Sequence, residues 1–271
     1  MAFDYNSHVA SEVLIVIPTL GQRVDFLRQT LESIRNQSVE ADITIVTPET
    51  AQEARGLAQE FTANVLDDPG SLPAAINLGV SQALPHHRYV NWLGDDDLLT
   101  ADSLQVCVTA MSAHPRGALV YGACRYIDNA GGELWVSKAG KWADRILTWG
   151  PDLIPQPGML IKKSAWDSVG GVDETLSHAF DLDLLLKLRK LGDFVSVGTI
   201  VSCFRWHPDS LTVSDRGKSL NESEAIKRRY LSARQNKFKW VWEQPVRIST
   251  KIAAQRLNKR AYRLSAAKTA G

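Results

Sequence analysis

The hydrophobic pattern opens with Val13-Leu14-Ile15-Val16-Ile17, five consecutive apolar residues closed by Pro18. A continuous, largely β-branched run of this kind predicts a central parallel strand covered on both faces. From Asp25 to Gln37 the period changes. Phe26, Leu27, Leu31 and Ile34 recur at helical spacing, and Ile43 to Val46 then forms a second short apolar run, which together make a β-α-β unit. The alternation continues with a helix around residues 52–61, a strand near 64–66, a helix over 73–83 and a strand over 89–93. It predicts an α/β fold with a mostly parallel central sheet and helices on both of its faces.

Beyond residue 100 the pattern is less regular. A helix is expected near 102–112, strands and loops over 118–149, and a break at Pro151 to Pro157. Short helices over 164–169 and 182–191 end at Gly170-Gly171 and Gly192, and a last strand spans 194–204. With 271 residues, 44% of them hydrophobic, the chain can bury one α/β core and a small appendage.

Charge changes this picture at the C-terminal end. The net charge is +1, yet residues 226–271 carry thirteen of the 31 basic residues and only one acid, Glu243. The boundary implied by this shift divides a folded domain, 1–222, from a basic helical extension, 223–271. No apolar run approaches the roughly 18 residues that cross a bilayer, and the first residues lack a basic start and apolar stretch, so a cytoplasmic location is expected. Cys107, Cys124 and Cys203 are odd in number and form no CxxC pair, which fits reduced, buried thiols.

In open parallel sheets ligands gather at the carboxyl ends of the strands, so Pro18-Thr19-Leu20, Thr47 to Thr50 and Gly94 to Asp97 share one predicted crevice. Asp95-Asp96-Asp97 is its most distinctive feature. Three successive carboxylates repel one another unless a cation or helix-terminus amides offset them. Mg²⁺ or Mn²⁺ would bind such oxygens and also bridge a diphosphate, with Asp97 and Asp95 the first choices as ligands. The alternative is that Asp96 or Asp97 caps a helix beginning near Leu98. Asp181, opening the helix after His178-Ala179-Phe180, is placed to act as a general base, or else as a cap that Asp183 could equally supply. His207, just after the last strand, could reach a diphosphate or a metal, or serve structurally. No GxGxxG, P-loop, HExxH or GxSxG occurs, so dehydrogenase, kinase and hydrolase readings lack their usual support.

Taken in order, these pieces resemble the inverting family 2 glycosyltransferases of the GT-A fold, over roughly residues 12–212. Val16-Ile17-Pro18-Thr19-Leu20 with Arg23 is similar to the first strand and nucleotide-contacting turn. Ala75-Ile76-Asn77-Leu78-Gly79, followed by Leu93-Gly94-Asp95-Asp96-Asp97, resembles the Asn-x-Gly helix and the metal-binding acidic motif. Gln156-Pro157-Gly158, Gly170-Gly171-Val172-Asp173 and Phe180-Asp181-Leu182-Asp183 resemble the acceptor half, and Arg205-Trp206-His207-Pro208 the loop after the last strand. The resemblance implies a nucleotide-binding half, about 12–100, and an acceptor half, about 101–222. It implies a nucleotide-diphospho-sugar donor held by Pro18, Thr19, Leu20, Arg23, Glu49, Asp68, Asn77, Asp95 and Asp96. It further implies a divalent cation, Mn²⁺ or Mg²⁺, on Asp97, Asp95 and His207, with Asp181 as the base that deprotonates an acceptor hydroxyl. His178, Trp149 and Gln156 fall on the acceptor side. Two departures stand out: Thr47-Pro48-Glu49-Thr50 replaces the usual acidic pair after the second strand, and Gly94 stands where the family often has Asp. The implied activity is sugar transfer with inversion, in cell-surface polysaccharide or glycolipid assembly. An inactive sugar-nucleotide-binding module and a sugar nucleotidyltransferase are the alternatives; the latter normally needs a longer basic loop than Gly21-Gln22-Arg23.

The basic extension interleaves Lys227-Arg228-Arg229 with Tyr230, Phe238, Trp240 and Trp242. This composition suits a helix on an anionic membrane surface near a lipid-linked acceptor, or one packed on the acidic body of the domain. No nucleic-acid partner is expected.

Overall fold

A computed structural model of the chain describes residues 11–137, 140, 142–206 and 216–269. The first half alternates as β1 (Val13–Pro18), α1 (Val24–Arg35), β2 (Asp42–Thr47), α2 (Gln52–Glu60), β3 (Asn64–Asp67), α3 (Leu72–Val80) and β4 (Tyr89–Trp92). The second half holds β5 (Leu98–Leu99), α4 (Ser103–Ser112), β6 (Gly117–Ile127), β7 (Glu133–Ser137), α5 (Ala143–Ile146), β8 (Leu160–Lys162), α6 (Lys163–Val169), α7 (Phe180–Leu188) and β9 (Asp193–Arg205).

One curled sheet runs β3-β2-β1-β4-β8-β6-β9-β5, with β7 paired to β6. β1, β2, β3 and β4 are mutually parallel, whereas β8 lies antiparallel between β4 and β6. The period of two along β1 explains its unbroken apolar run: Leu14 and Val16 enter the core on one face, Val13, Ile15 and Ile17 the core on the other. α1, α2 and α4 cover the second face, and α3, α6 and α7 the first. α3 starts where Ser71 accepts a bond from the Ala74 amide, with Pro73 in its first turn. A Cβ at Gly79 would lie 2.2 Å from Val16 Cγ1, so glycine lets α3 sit directly on β1.

Two short strands, β5 and β8, carried no readable sequence signal. Residues 98–99 pair with Ser202 and Cys203 of β9, and α4 begins only at Ser103. The alternative in which Asp96 or Asp97 caps a helix near Leu98 is therefore overturned.

The C-terminal segment forms α8 (Arg216–Tyr230), α9 (Ala233–Lys237) and α10 (Trp240–Thr269). The expected boundary at residue 222 falls inside α8. Ile226 is fully buried in the same core as β1, α3 and α7, so α8 belongs to the domain and the extension starts after it. Arg228 pairs with Glu243 at 2.8 Å and Arg247 with Glu224 at 3.0 Å, tying the start of α10 back to α8. Among the described residues no helix is long and apolar enough to cross a membrane.

Candidate active site

The carboxyl end of β4 delivers Asp95, Asp96 and Asp97 into a turn, all three less than a tenth exposed. Glycine at position 94 leaves room for this packing: a Cβ there would stand 2.9 Å from Asp97 Oδ2 and 3.0 Å from Asp96 Oδ1. The departure at Gly94 thus makes room for the carboxylates that follow it.

The three carboxylates face different ways. Asp95 accepts from the Thr19 hydroxyl and from Arg23, whose guanidinium is 2.6 Å from Asp95 Oδ1 and 3.0 Å from Asp96 Oδ2. Arg23 and Thr19 come from the turn after β1, so the two strand ends meet as expected from adjacent parallel strands. Burial raises the Asp95 proton affinity above the usual carboxylate range, against the opposing pull of Thr19 and Arg23. Asp97 turns inward, where its Oδ1 accepts from the Arg205 backbone amide at 3.1 Å. Burial first, and the neighbouring Asp96 and Asp95 charges next, push its carboxyl well above the usual range. Asp97, the first choice as metal ligand, is thus held inward by the Arg205 amide, whereas Asp95 and Asp96 share the Arg23 guanidinium.

Beneath the loop lies Arg205, only 1% exposed. Its Nε donates to the Asp96 carbonyl, its two terminal nitrogens to the carbonyls of Asp128 and Asn129 and to Gln29 Oε1, and its guanidinium stacks 4.2 Å from the Phe26 ring. Sequence reasoning passed over this residue in favour of its neighbour His207, which lies outside the described residues. A lone Arg closing a mostly apolar strand was the available signal, because a buried guanidinium needs several acceptors around it.

On the acceptor side Asp181 occupies the first turn of α7, and its Oδ1 accepts from the Leu182 amide at 2.7 Å. The helix cap is Ala179, which makes no side-chain capping bond. Asp183 is buried and pairs with Lys187 at 2.7 Å. Neither Asp is the cap that the competing reading required. Burial and then the Asp152 charge raise the Asp181 carboxyl to about 7. Asp152, which keeps contact with solvent, is itself raised to about 6, mainly by the surrounding protein.

The remaining predicted residues divide by environment. Leu20 and Glu49 are exposed, and Pro18 and Asp68 partly so, along the strand ends. Asn77 is engaged elsewhere: its amide donates to Val172 O and Glu174 and accepts from Val172 N, clamping α3 to the loop before α7. Gln156 donates to Trp92 O at 2.6 Å, fixing the backbone just before the acidic turn. Trp92 packs against Trp166 and Phe180 at 6.1 and 6.3 Å between ring centroids, so an aromatic trio links the acidic strand to the Asp181 helix. Trp149 is 46% exposed. The three cysteines are buried and unpaired, and burial lifts Cys107 and Cys124 to about 12, which leaves them protonated and unreactive.

Among the described residues, Asp42, His86 and His87 converge closely enough to share an ion. They lie at the amino end of β2 and β4, opposite the acidic turn. His87 Nδ1 accepts from the Leu84 amide, which leaves Nε2 to donate to Asp42 at 2.8 Å. This arrangement locks the loop and occupies the nitrogen a metal would need.

Comparison with known proteins gives a consistent picture. The family model described as glycosyltransferase like family 2 matches residues 21–233. The chondroitin synthase of Escherichia coli is 25% identical over 185 residues, 65% of this chain and 26% of that protein. The chondroitin synthase of Pasteurella multocida is 23% identical over 223 residues, 78% of this chain and 22% of that protein. The chain thus spans about a quarter of the length of these relatives. Among solved structures, the mannosyltransferase PcManGT from Pyrobaculum calidifontis, in complex with GDP-Man and Mn²⁺, superposes with a TM-score of 0.64 at 16% identity, covering 96% of this chain and 76% of that one. S. aureus TarS 1–349 in complex with UDP gives 0.57 at 14% identity, covering 80% and 65%.

Proposed function

The chain belongs to the glycosyltransferase-like family 2, and from that premise we propose that it transfers a sugar from a nucleotide diphosphate to an acceptor hydroxyl with inversion, in polysaccharide or glycolipid assembly. The observation that carries this reading is the packing of Trp92, at the end of the strand that leads into the acidic turn, against Phe180, the residue before Asp181 on α7.

The donor set suits a hard divalent cation. Two carboxylates at the crevice mouth, Asp95 and Asp96, already hold a cationic guanidinium, and a buried carboxylate of raised proton affinity such as Asp95 gains from a stronger counter-charge. Asp95 and Asp96 would hold Mn²⁺ or Mg²⁺, which would neutralise charge on the departing diphosphate. Arg23, released from the carboxylates, is in reach of phosphate oxygens as a planar donor. Asp97 and Arg205 keep the turn in register. Leu20, Glu49 and Asp68 lie along the strand ends where the nucleoside would sit.

Asp181 takes the proton from the acceptor hydroxyl as oxygen attacks the anomeric carbon from the face opposite the diphosphate. A carboxyl near 7 is matched to this work, because it is basic enough to accept a proton and still ionised at neutral pH. Trp149 and His178 lie on the acceptor side, with exposed indole surface for a sugar ring. Incubation with nucleoside diphosphate sugars, an added oligosaccharide and Mn²⁺ or Mg²⁺, read as transfer of the sugar to the oligosaccharide with release of free nucleoside diphosphate, tests the assignment. Absence of turnover alongside tight sugar-nucleotide binding would favour the inactive binding module.

The extension is read in two parts. Its first turns are held to α8 by ion pairs. Trp240 and Val241 at its start and Ile248 and Ile252 past the ion pairs are exposed on a helix rich in Lys and Arg, a composition suited to an anionic membrane surface.

A further inference from the structure

The helix that carries Asp181 is not capped by its own residues. The cap comes from α8: Glu222 accepts from the amides of Ser177 at 3.1 Å, His178 at 2.6 Å and Ala179 at 2.6 Å. One carboxylate therefore holds three successive backbone donors of the turn that leads into α7, the last of them on its cap residue Ala179. Burial disfavours its charge, yet these donors outweigh the burial and hold Glu222 below the usual carboxylate range, so it is a fixed negative charge. Five residues along the same helix Lys227 donates to Gly150 O, bracing the loop that bears Asp152. The buried Ile226 between them anchors α8 to the core.

We infer that Glu222 is a positioning residue for the base, fixing through three backbone bonds the turn from which Asp181 projects and placing a permanent negative charge beside it. The inference rests on the transferase reading of Asp181. The charged groups around the base are Asp152 from the 150–155 loop, itself opposed by Lys227 of α8; His178, beside Glu222; Asp183 and Lys187 on α7; and Glu222. Both Asp152 and Glu222 raise the proton affinity of Asp181. Removing the Glu222 charge therefore lowers it, whereas loosening the turn alone would not.

The experiment compares the full chain with Glu222→Gln and Glu222→Asp by pH–rate profile and by ¹³C NMR titration of the Asp181 carboxyl. Glu222→Gln should lower kcat about 10-fold with donor KM nearly unchanged, and move the acid limb down by about half a pH unit. Glu222→Asp keeps the charge and shortens the reach, so it should lower kcat and leave the limb in place. If Glu222→Gln does not fold, the Asp variant carries the test, and wild-type kcat in a folded Glu222→Asp protein overturns the inference. An unmoved limb and unmoved titration in an active Glu222→Gln enzyme also overturn it. A protein without transferase activity in which the Asp181 titration still falls would overturn the transferase reading and support the placement of Glu222.

Discussion

Arg23 closes a 2.6 Å ion pair with Asp95 at the mouth of the crevice, and the same guanidinium reaches Asp96 at 3.0 Å. A side chain of the protein thus pairs with the two carboxylates proposed to hold the divalent cation. Replacing it by Gln leaves two nearly buried carboxylates facing each other. Arg23→Gln should cost about 1–2 kcal/mol of stability without metal, less than a fully buried pair because Arg23 is partly exposed. Mn²⁺ should then stabilise the variant more than the wild type. Thermal melts with and without Mn²⁺ check this; equal metal responses would contradict it.

Arg205 is the internal counterpart. Its substitution by Met would strand the acceptors at Asp96, Asp128, Asn129 and Gln29 and remove a positive charge that favours the ionised form of Asp97. A loss of about 3–5 kcal/mol is expected. Arg205→Lys should recover only part of it, because one ammonium cannot span the fork. Urea denaturation of both variants measures the difference.

Ile226 places the end of the domain. A chain ending at residue 222 should fail to fold cooperatively, since it loses a fully buried side chain and Lys227, whereas one ending at 233 should retain the domain. Only the full chain should sediment with anionic liposomes. Equal liposome binding by the full chain and the chain ending at 233 would rule out the extension as the membrane contact.

How much of this was legible beforehand differs by region. The alternation from Val13 to Trp92 was readable because helices and parallel strands stamp local periods on the chain. The acidic turn drew attention because three successive carboxylates are costly together, and Asp181 because it opens a helix at the position where the resemblance puts a base. The division of labour among the three carboxylates was not readable, since it depends on which way a turn faces, and Asp97 faces Arg205 from 108 residues away. β8 is three residues long, too short for a period. Glu222, the last residue of the expected domain, and Lys227, counted with the basic tail, gave no sign of their contacts, because their partners are backbone atoms of distant loops, which no side-chain pattern reveals.

Asp181 also links stability to pH. Its carboxyl lies near 7 in the folded chain against an ordinary value near 4. The folded state therefore binds the proton more tightly, and the stability this contributes at low pH is lost as pH rises through about 7. Asp181→Asn, which cannot ionise, should gain melting temperature relative to wild type between pH 5 and pH 8. A difference in melting temperature that does not change with pH would contradict the raised carboxyl.

The most direct test of the transferase account is single-turnover transfer by Asp181→Asn, measured beside its affinity for the sugar nucleotide in the presence of Mn²⁺. The account predicts a rate loss of about 10²- to 10⁴-fold with donor affinity unchanged within about twofold, and a wild-type rate that falls as pH drops below about 7. Transfer at the wild-type rate by Asp181→Asn would contradict it.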